Sequence, residues 1–368
     1  MSIETPTQSK VASKRFVLLD SLRGYAAFAI MILHFPEING SLNTYLAVDF
    51  FLILSGFVLM HAYFRNPEFS LVSFAQARFA RLYPLHLVTL IVSVLIYIAT
   101  NEYIDKSTLA LHGLMIHHVG LGPDKFWFNS PSWSISVEFW VNILVALALA
   151  FGTRILGSIK SSIVNGLMIV VSIACYVTLF ITLGHLDGHI QTLAPAVSAG
   201  MVRGMASFMA GILIYKLYTH LDAAPNPALQ RALGMATPIL LGLFAICLWL
   251  PYIHLWIDFI MLPLFLAVVL IGAFEVGSSA KLAMKIHHLG TISFSLYLIH
   301  RPIQKIAYLI LPEDTPLAVK ILLIVPVVLV LAHLTQKYFE MPVYRRLKKL
   351  LRDAPLFASK LSTRSARD

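Results

Sequence analysis

The 368 residues would allow two or three ordinary soluble domains, but 58% of them are hydrophobic, only 12% are charged and the mean hydropathy is +0.79. Soluble domains run nearer half apolar and a quarter charged, and disordered chains are polar and charge-rich, so both classes are excluded. The two cysteines, Cys175 and Cys247, sit inside apolar runs and exclude a disulfide scaffold, which leaves an all-α polytopic membrane bundle.

A helix needs about 20 mainly apolar residues to cross roughly 30 Å of hydrocarbon. In chain order the pattern predicts ten such helices, over approximately 16–35, 45–64, 82–100, 134–152, 163–183, 198–216, 234–251, 254–274, 291–311 and 319–337. Residues 1–15 read as a polar N-terminal segment rather than a cleavable signal, because the first apolar run is already span length and Arg23 interrupts it. Residues 16–340 then form the ten-helix domain and 341–368 a basic tail. The loop 65–81 reads as a separate basic amphipathic helix, with Phe69, Leu71, Phe74 and Phe79 set against Arg65, Arg78 and Arg81. In the longest loop of the opposite side, 101–133, the piece Leu109 to Val119 is expected at the interface. The uncharged run 232–257 is too long for one span, so Pro251 and Tyr252 are read as a tight turn between two. No internal repeat is visible.

Lysine and arginine orient the bundle. With the N-terminus cytoplasmic, the inner segments and tail hold 21 of the 28 basic residues, while the outer segments hold Lys106, Lys125 and Lys320. That asymmetry predicts both termini inside. The net charge of +10 is thereby a topology signal, and nucleic-acid binding is the poorer reading of it. The stretch Tyr344 to Arg352 is expected on anionic headgroups.

Charged side chains inside spans are costly and mark sites by default. The first span carries Asp20, Arg23 and His34. Arg23 and His34 are eleven residues apart, close to three turns, so both point to one face roughly 16 Å apart along the axis. Taken alone, this pair reads better as separate anchors at the two interfaces than as a shared site. Asp49 and Glu138 open the second and fourth spans at the same end as His34, where helix capping is the simple alternative for each acid taken singly. A histidine beside a carboxylate is fixed in one tautomer and is a better base, so either acid is a candidate partner for His34. At the other end, Arg78 and Arg81 share a helical face below Arg23 and suit a phosphate, or simply serve as positive-inside residues. His300 and Arg301, followed by Pro302, should face a polar cavity or a helix contact. Arg203 is expected to pair with Asp258 or Glu138. No histidine pair has zinc-ligand spacing, and no Walker, Rossmann or HExxH pattern is present.

Six ordered motifs carry a resemblance over about 16–350. They are Leu19-Asp20-Ser21-Leu22-Arg23-Gly24 with His34 after it, Val48-Asp49-Phe50-Phe51-Leu52-Ile53-Leu54-Ser55-Gly56-Phe57, and the Arg78, Arg81, Leu82, Pro84 element. Asn129-Ser130-Pro131-Ser132-Trp133-Ser134-Ile135-Ser136-Val137-Glu138, the stretch Ile292 to Pro302, and Glu340-Met341-Pro342 complete the set. The chain resembles the integral membrane acyltransferase family 3. Where many members have consecutive basic residues before the Arg-Leu-x-Pro element, Ala77 stands here before Arg78. Relatives that carry a soluble hydrolase-like domain have an extra span, and none is expected after residue 340.

The resemblance implies transfer of an acyl group, often acetyl from acyl-CoA, to a hydroxyl of a cell-envelope carbohydrate or a small molecule. Acyl-CoA is then a co-substrate rather than a bound cofactor, and no metal is implied. Joined to the residues, this gives His34 as general base, Asp49 or Glu138 as its orienting acid, and Arg78 and Arg81 with Arg23 toward the phosphates and arm of the donor. Trp133, Ser136, Tyr297, His300 and Arg301 are pocket candidates. A covalent acyl-enzyme stays open. The rival classes are a transporter or flippase of a lipid-linked sugar, for which the repeats expected of such folds are not seen, and a non-catalytic sensor.

Overall fold

A computed structural model describes residues 14–66, 69–123, 125, 128–155, 161–223, 226–251 and 257–353. Lys10, Lys160, the turn at Tyr252 and the tail beyond Asp353 lie outside the described residues. The chain is an all-α bundle. Its helices are α1 (Val17–Leu33), α2 (Ala47–Leu59), α3 (Leu71–Ala99), α4 (Lys106–Gly113), α5 (Ser132–Ile155), α6 (Ser161–Thr182) and α7 (Ala199–Asp222). They continue as α8 (Pro227–Trp249), α9 (Ile257–Gly272), α10 (Ser278–Ala283), α11 (His287–Ile310), α12 (Leu317–Thr335) and α13 (Met341–Asp353).

Each of the ten predicted spans is helical over most of its described residues. Among the described residues six segments are long and apolar enough to cross a membrane: Asn43–Phe64, Leu71–Ala99, Ser132–Gly152, Ser161–Thr182, Pro227–Trp249 and Leu317–Asp353. Of the other four, α1 and α9 are shorter, with 17 and 16 residues, and α7 and α11 carry more polar side chains. Helices suit this composition because each satisfies its own backbone hydrogen bonds, which hydrocarbon cannot do. Their polar ends are capped where water is available. Ser70, Asp105, Ser198 and Asn226 accept from the Ser73, Thr108, Met201 and Ala228 amides.

Four features depart from the expectation. The loop 65–81 does not form a helix of its own: from Leu71 it is the first part of α3, which runs through Pro84 to Ala99, and Phe74 is fully buried. Several helices also begin or end beyond the apolar stretch, α8 at Pro227 and α11 at His287, because hydropathy marks only the lipid-contacting part of a helix. The expected interfacial piece is α4 and the turns after it, with His112, His117 and His118 buried. A short antiparallel hairpin, β1 (Thr192–Ala194) and β2 (Val197–Ser198), stands before α7. It packs on the segment after α4, where the Ser198 hydroxyl donates to the His118 carbonyl at 2.6 Å and the Ala196 amide to the Gly120 carbonyl at 3.3 Å.

The lipid-facing helices show their nature by exposure: Ile163, Leu167, Val170, Ile173 and Val177 of α6 all point outward. The centre is built instead from α1 against α11 and α2 against α7. Glycine permits the first contact. A Cβ on Gly24 would stand 2.4 Å from the Gly290 nitrogen, and one on Gly290 would stand 2.0 Å from the Asp20 carbonyl oxygen. Small residues let membrane helices approach this closely. The approach also puts Arg301 and Gln304 of α11 on the carbonyls of His34 (3.0 Å) and Met31 (2.8 Å). Substituting Gly290→Ala is therefore expected to cost about 1–3 kcal/mol, as other overpacking does. It should lower the melting temperature in detergent, and an unchanged transition would refute close packing here.

Candidate active site

Two hollows meet inside the bundle. The first lies between α1, α2, α3, α5 and α11 and is lined by Arg23, Ser55, Arg78, Arg81, Ser134, Glu138, Ser293, Phe294 and Tyr297 among apolar neighbours. The second is lined by His34, Asn39, Tyr45, Ser130, Trp133, Asp187, His189, Arg203 and Arg301 among others. Val48 and Tyr297 line both, so these two side chains form the divide between them. The Tyr297 hydroxyl is hydrogen-bonded to Ser134 at 2.7 Å, and its ring packs edge-on against Phe51.

In the first hollow every arginine has a carboxylate. Arg78 of α3 reaches Glu138 of α5 at 2.5 Å, and Glu138 also accepts from Ser55 of α2 at 3.0 Å. Three helices are thus joined through one acid. Arg81 pairs with buried Glu340, which in turn accepts from Ser295 at 2.5 Å. The Arg81 guanidinium also lies 5.0 Å from the Phe294 ring centroid. Arg23 bonds to Asp20 (3.1 Å), Ser293 (3.0 Å) and the Gly290 carbonyl (2.9 Å). It is bound within the α1–α11 contact and does not snorkel as a free anchor.

In the second hollow, His34 ends α1. Its Nδ1 lies 2.8 Å from the Ile30 carbonyl oxygen. A carbonyl only accepts, so Nδ1 carries the proton and Nε2 keeps the lone pair. The fully buried His300 packs edge-on with its ring centroid 4.9 Å away, and its own Nδ1 donates to the Leu296 carbonyl at 3.1 Å. Trp133 stacks on His189 at 3.9 Å.

Neither acid meets His34. Asp49 is fully buried on Arg203, with contacts of 3.0 Å to Nε and 2.5 Å to a terminal nitrogen, and accepts from Ser207 at 3.2 Å. It is a counter-ion, not a helix cap. Glu138 lies a full turn and more inside α5, on Arg78, in the other hollow. Arg203 therefore pairs with Asp49 and not with Asp258 or Glu138, while Asp258 accepts from Tyr45 and from the Leu186 amide. Ser136 lines neither hollow, because it donates to the Met115 carbonyl at 2.9 Å and ties the loop after α4 to α5. His300 lines neither as well and reaches the site through the His34 ring. Arg23, Arg78, Arg81, Trp133, Tyr297 and Arg301 do line a hollow.

The sequence reading assigned no role to Glu340, Ser55, Asp187 or His189. The first two stand inside quoted motifs. A half-buried arginine at Arg81 within a bundle draws an acid, so Glu340 could have been sought. Asp187 and His189 belong to the segment between α6 and α7, and only the fold brings them to Trp133.

A charged, two-chambered interior within a helical bundle of membrane-crossing composition marks a multi-pass membrane enzyme or carrier. The profile of a family described as an acyltransferase domain matches residues 16–335. The chain belongs to that family, the membrane acyltransferases of family 3. Over 163 residues it is 42% identical to "Protein 2 in picA locus" of Rhizobium radiobacter, covering 38% of this chain and 84% of that protein. Over 151 residues it is 33% identical to "Acyltransferase MdmB" of Streptomyces mycarofaciens, covering 34% of this chain and 37% of that protein. The match thus spans little more than a third of that second relative. No solved structure matches the chain.

Proposed function

We propose that this acyltransferase moves an acyl group, acetyl in the first instance, from acyl-CoA to a hydroxyl of a carbohydrate or other cell-envelope acceptor. His34 is the general base. What supports the reading is a proton-bearing Nδ1, held by the Ile30 carbonyl, on a histidine that lines the second hollow, which leaves Nε2 as the basic nitrogen. The acceptor sits in that hollow beside Trp133, Asp187 and Arg301. The arm of the donor occupies the other, along Arg23, Arg78 and Tyr297, and the thioester reaches the divide at Val48 and Tyr297. The divide must shift for the two to meet, since Tyr297 and Val48 stand between them.

The step balances without an external reagent. His34 Nε2 takes the proton of the acceptor hydroxyl as its oxygen bonds to the thioester carbonyl carbon. The carbon–sulfur bond then breaks and the sulfur receives the proton from the imidazolium, leaving free CoA thiol. Asp49 and Glu138 act through the arginines they neutralise, as positioning residues. The excess of basic residues on the inner segments supports a cell-membrane protein with both termini cytoplasmic, most simply in a bacterial inner membrane.

Purified protein in detergent, incubated with acetyl-CoA labelled in the acetyl group, should release labelled acetate slowly and should transfer label to an added glycan hydroxyl. A carrier or sensor would leave the thioester intact, and that result would overturn the proposal.

A further inference from the structure

We propose that a third hollow, in front of α1, is the seat for the nucleotide end of the donor: a purine ribonucleotide bearing several phosphates, with Lys14 and Arg15 as its phosphate contacts. This rests on the acyl-CoA reading above and assigns the part of the donor that the first hollow leaves without a site. The third hollow is lined by Lys14, Arg15, Phe16, Asp20, Arg23 and His61 with apolar neighbours. Arg23, Leu54 and Val58 line both it and the first hollow. The three hollows therefore run in series, from the basic end of the bundle to His34.

Three observations place the phosphates here and not on Arg78 and Arg81. Those two arginines are already neutralised by Glu138 and Glu340, and they line the neighbouring hollow, which has room for the uncharged arm. Lys14, by contrast, has no carboxylate within 4.0 Å among the described residues. Its ammonium rests on neutral oxygens, the Tyr218 hydroxyl at 2.7 Å and the Ala273 carbonyl at 3.3 Å, and lies 5.2 Å from the Phe16 and Tyr218 rings. Arg15 holds Asp20 at 2.8 Å, but Asp20 is shared with Arg23, so the lining carries more positive than negative charge. The nearby acids do not offset it from within. Glu275 accepts from the Leu18 amide and Asp222 from Tyr218, and neither lines the hollow. Phe16 and His61, packed edge-on with ring centroids 5.1 Å apart, make the lining partly aromatic.

The ligand implied is polyanionic at one end and carries a neutral arm long enough to enter the adjoining hollow. The double variant Lys14→Ala with Arg15→Ala tests it with two donors, acetyl-CoA and S-acetylpantetheine, which lacks the nucleotide. Losing two charge-assisted contacts should raise KM for acetyl-CoA about 10- to 100-fold. KM for S-acetylpantetheine should change less than twofold. Calorimetry with adenosine 3′,5′-bisphosphate should show saturable binding to the wild-type protein and matching weakening in the variant, with Lys14→Arg restoring part of it. An equal loss with both donors, or none with either, would overturn the assignment. If the wild-type protein turned over neither donor yet bound the bisphosphate, the transferase reading would fail and the nucleotide site would stand.

Discussion

His34→Asn is expected to lower acyl transfer by about 10²- to 10⁴-fold, the contribution typical of a placed general base. Asparagine can keep the side-chain bond to the Ile30 carbonyl that fixes the end of α1. It has no lone pair of imidazole basicity to give the acceptor proton. The variant should therefore reach the membrane, melt within a degree or two of the wild type in detergent, and bind acyl-CoA with unchanged affinity, while its turnover with donor and glycan collapses. Removing the neighbouring ring, by His300→Leu, should act more mildly, because His300 touches the base and lines neither hollow. Single-turnover assays on both variants decide the matter. Full activity in His34→Asn would remove this side chain from the chemistry, whatever the rest of the hollow does.

Much of the helix arrangement is written in composition, and the reason is physical. Where a helix meets lipid, as α6 does through Ile163, Leu167 and Val170, every exposed side chain must be apolar and the span is plain in the sequence. Helices buried in protein face no such demand. Helices α7 and α11 admit Arg203, His300 and Arg301, and among the helices of the predicted spans they are the least hydrophobic. The unity of α3 was not legible for the opposite reason. Its polar first turns and apolar remainder read as two objects, and only packing, with Phe74 buried and Gln76 donating to the Leu351 carbonyl of α13, makes them one.

The candidate site was legible as a set of residues and not as a set of pairs. Spacing placed Arg23 and His34 on one face of α1, and both line hollows in the same series. Depth along the span then suggested that Asp49, Glu138 and His34 meet, because all three stand near one end. Depth does not specify azimuth. Asp49 turns toward α7 and Glu138 toward α3, each to an arginine, since an acid in a bundle is drawn to the nearest cation before a neutral ring. The same rule ties Glu340 to Arg81 across 259 positions of sequence, a separation at which no local pattern speaks.

Loss of stability should be greatest at the deepest of these pairs. Arg203 is 1% exposed and Asp49 is fully buried, against 13% and 22% for Arg78 and Glu138. Arg203 also donates to the Leu186 carbonyl at 2.9 Å and the Tyr45 carbonyl at 3.3 Å, which binds the segments flanking the second hollow to α7. Arg203→Ala leaves the buried Asp49 charge without a counter-ion, with only the Ser207 hydroxyl on it, a loss that typically costs about 3–5 kcal/mol. The variant should melt well below the wild type in detergent and should be depleted from membranes. Replacing both members, Arg203→Met with Asp49→Leu, removes the stranded charge and should recover most of the melting temperature, because apolar substitution of a whole buried pair is often close to neutral. Transfer activity should not recover with it. The guanidinium stands 5.7 Å from the Trp133 ring in the wall of the hollow, and a methionine there holds neither the Leu186 and Tyr45 carbonyls nor the charge beside the ring. Nanoscale fluorimetry and a transfer assay on the three proteins separate the two effects. Equal melting temperatures for the wild type and Arg203→Ala would mean that the pair contributes no net stability, and a double variant as active as the wild type would mean that it shapes no part of the acceptor wall.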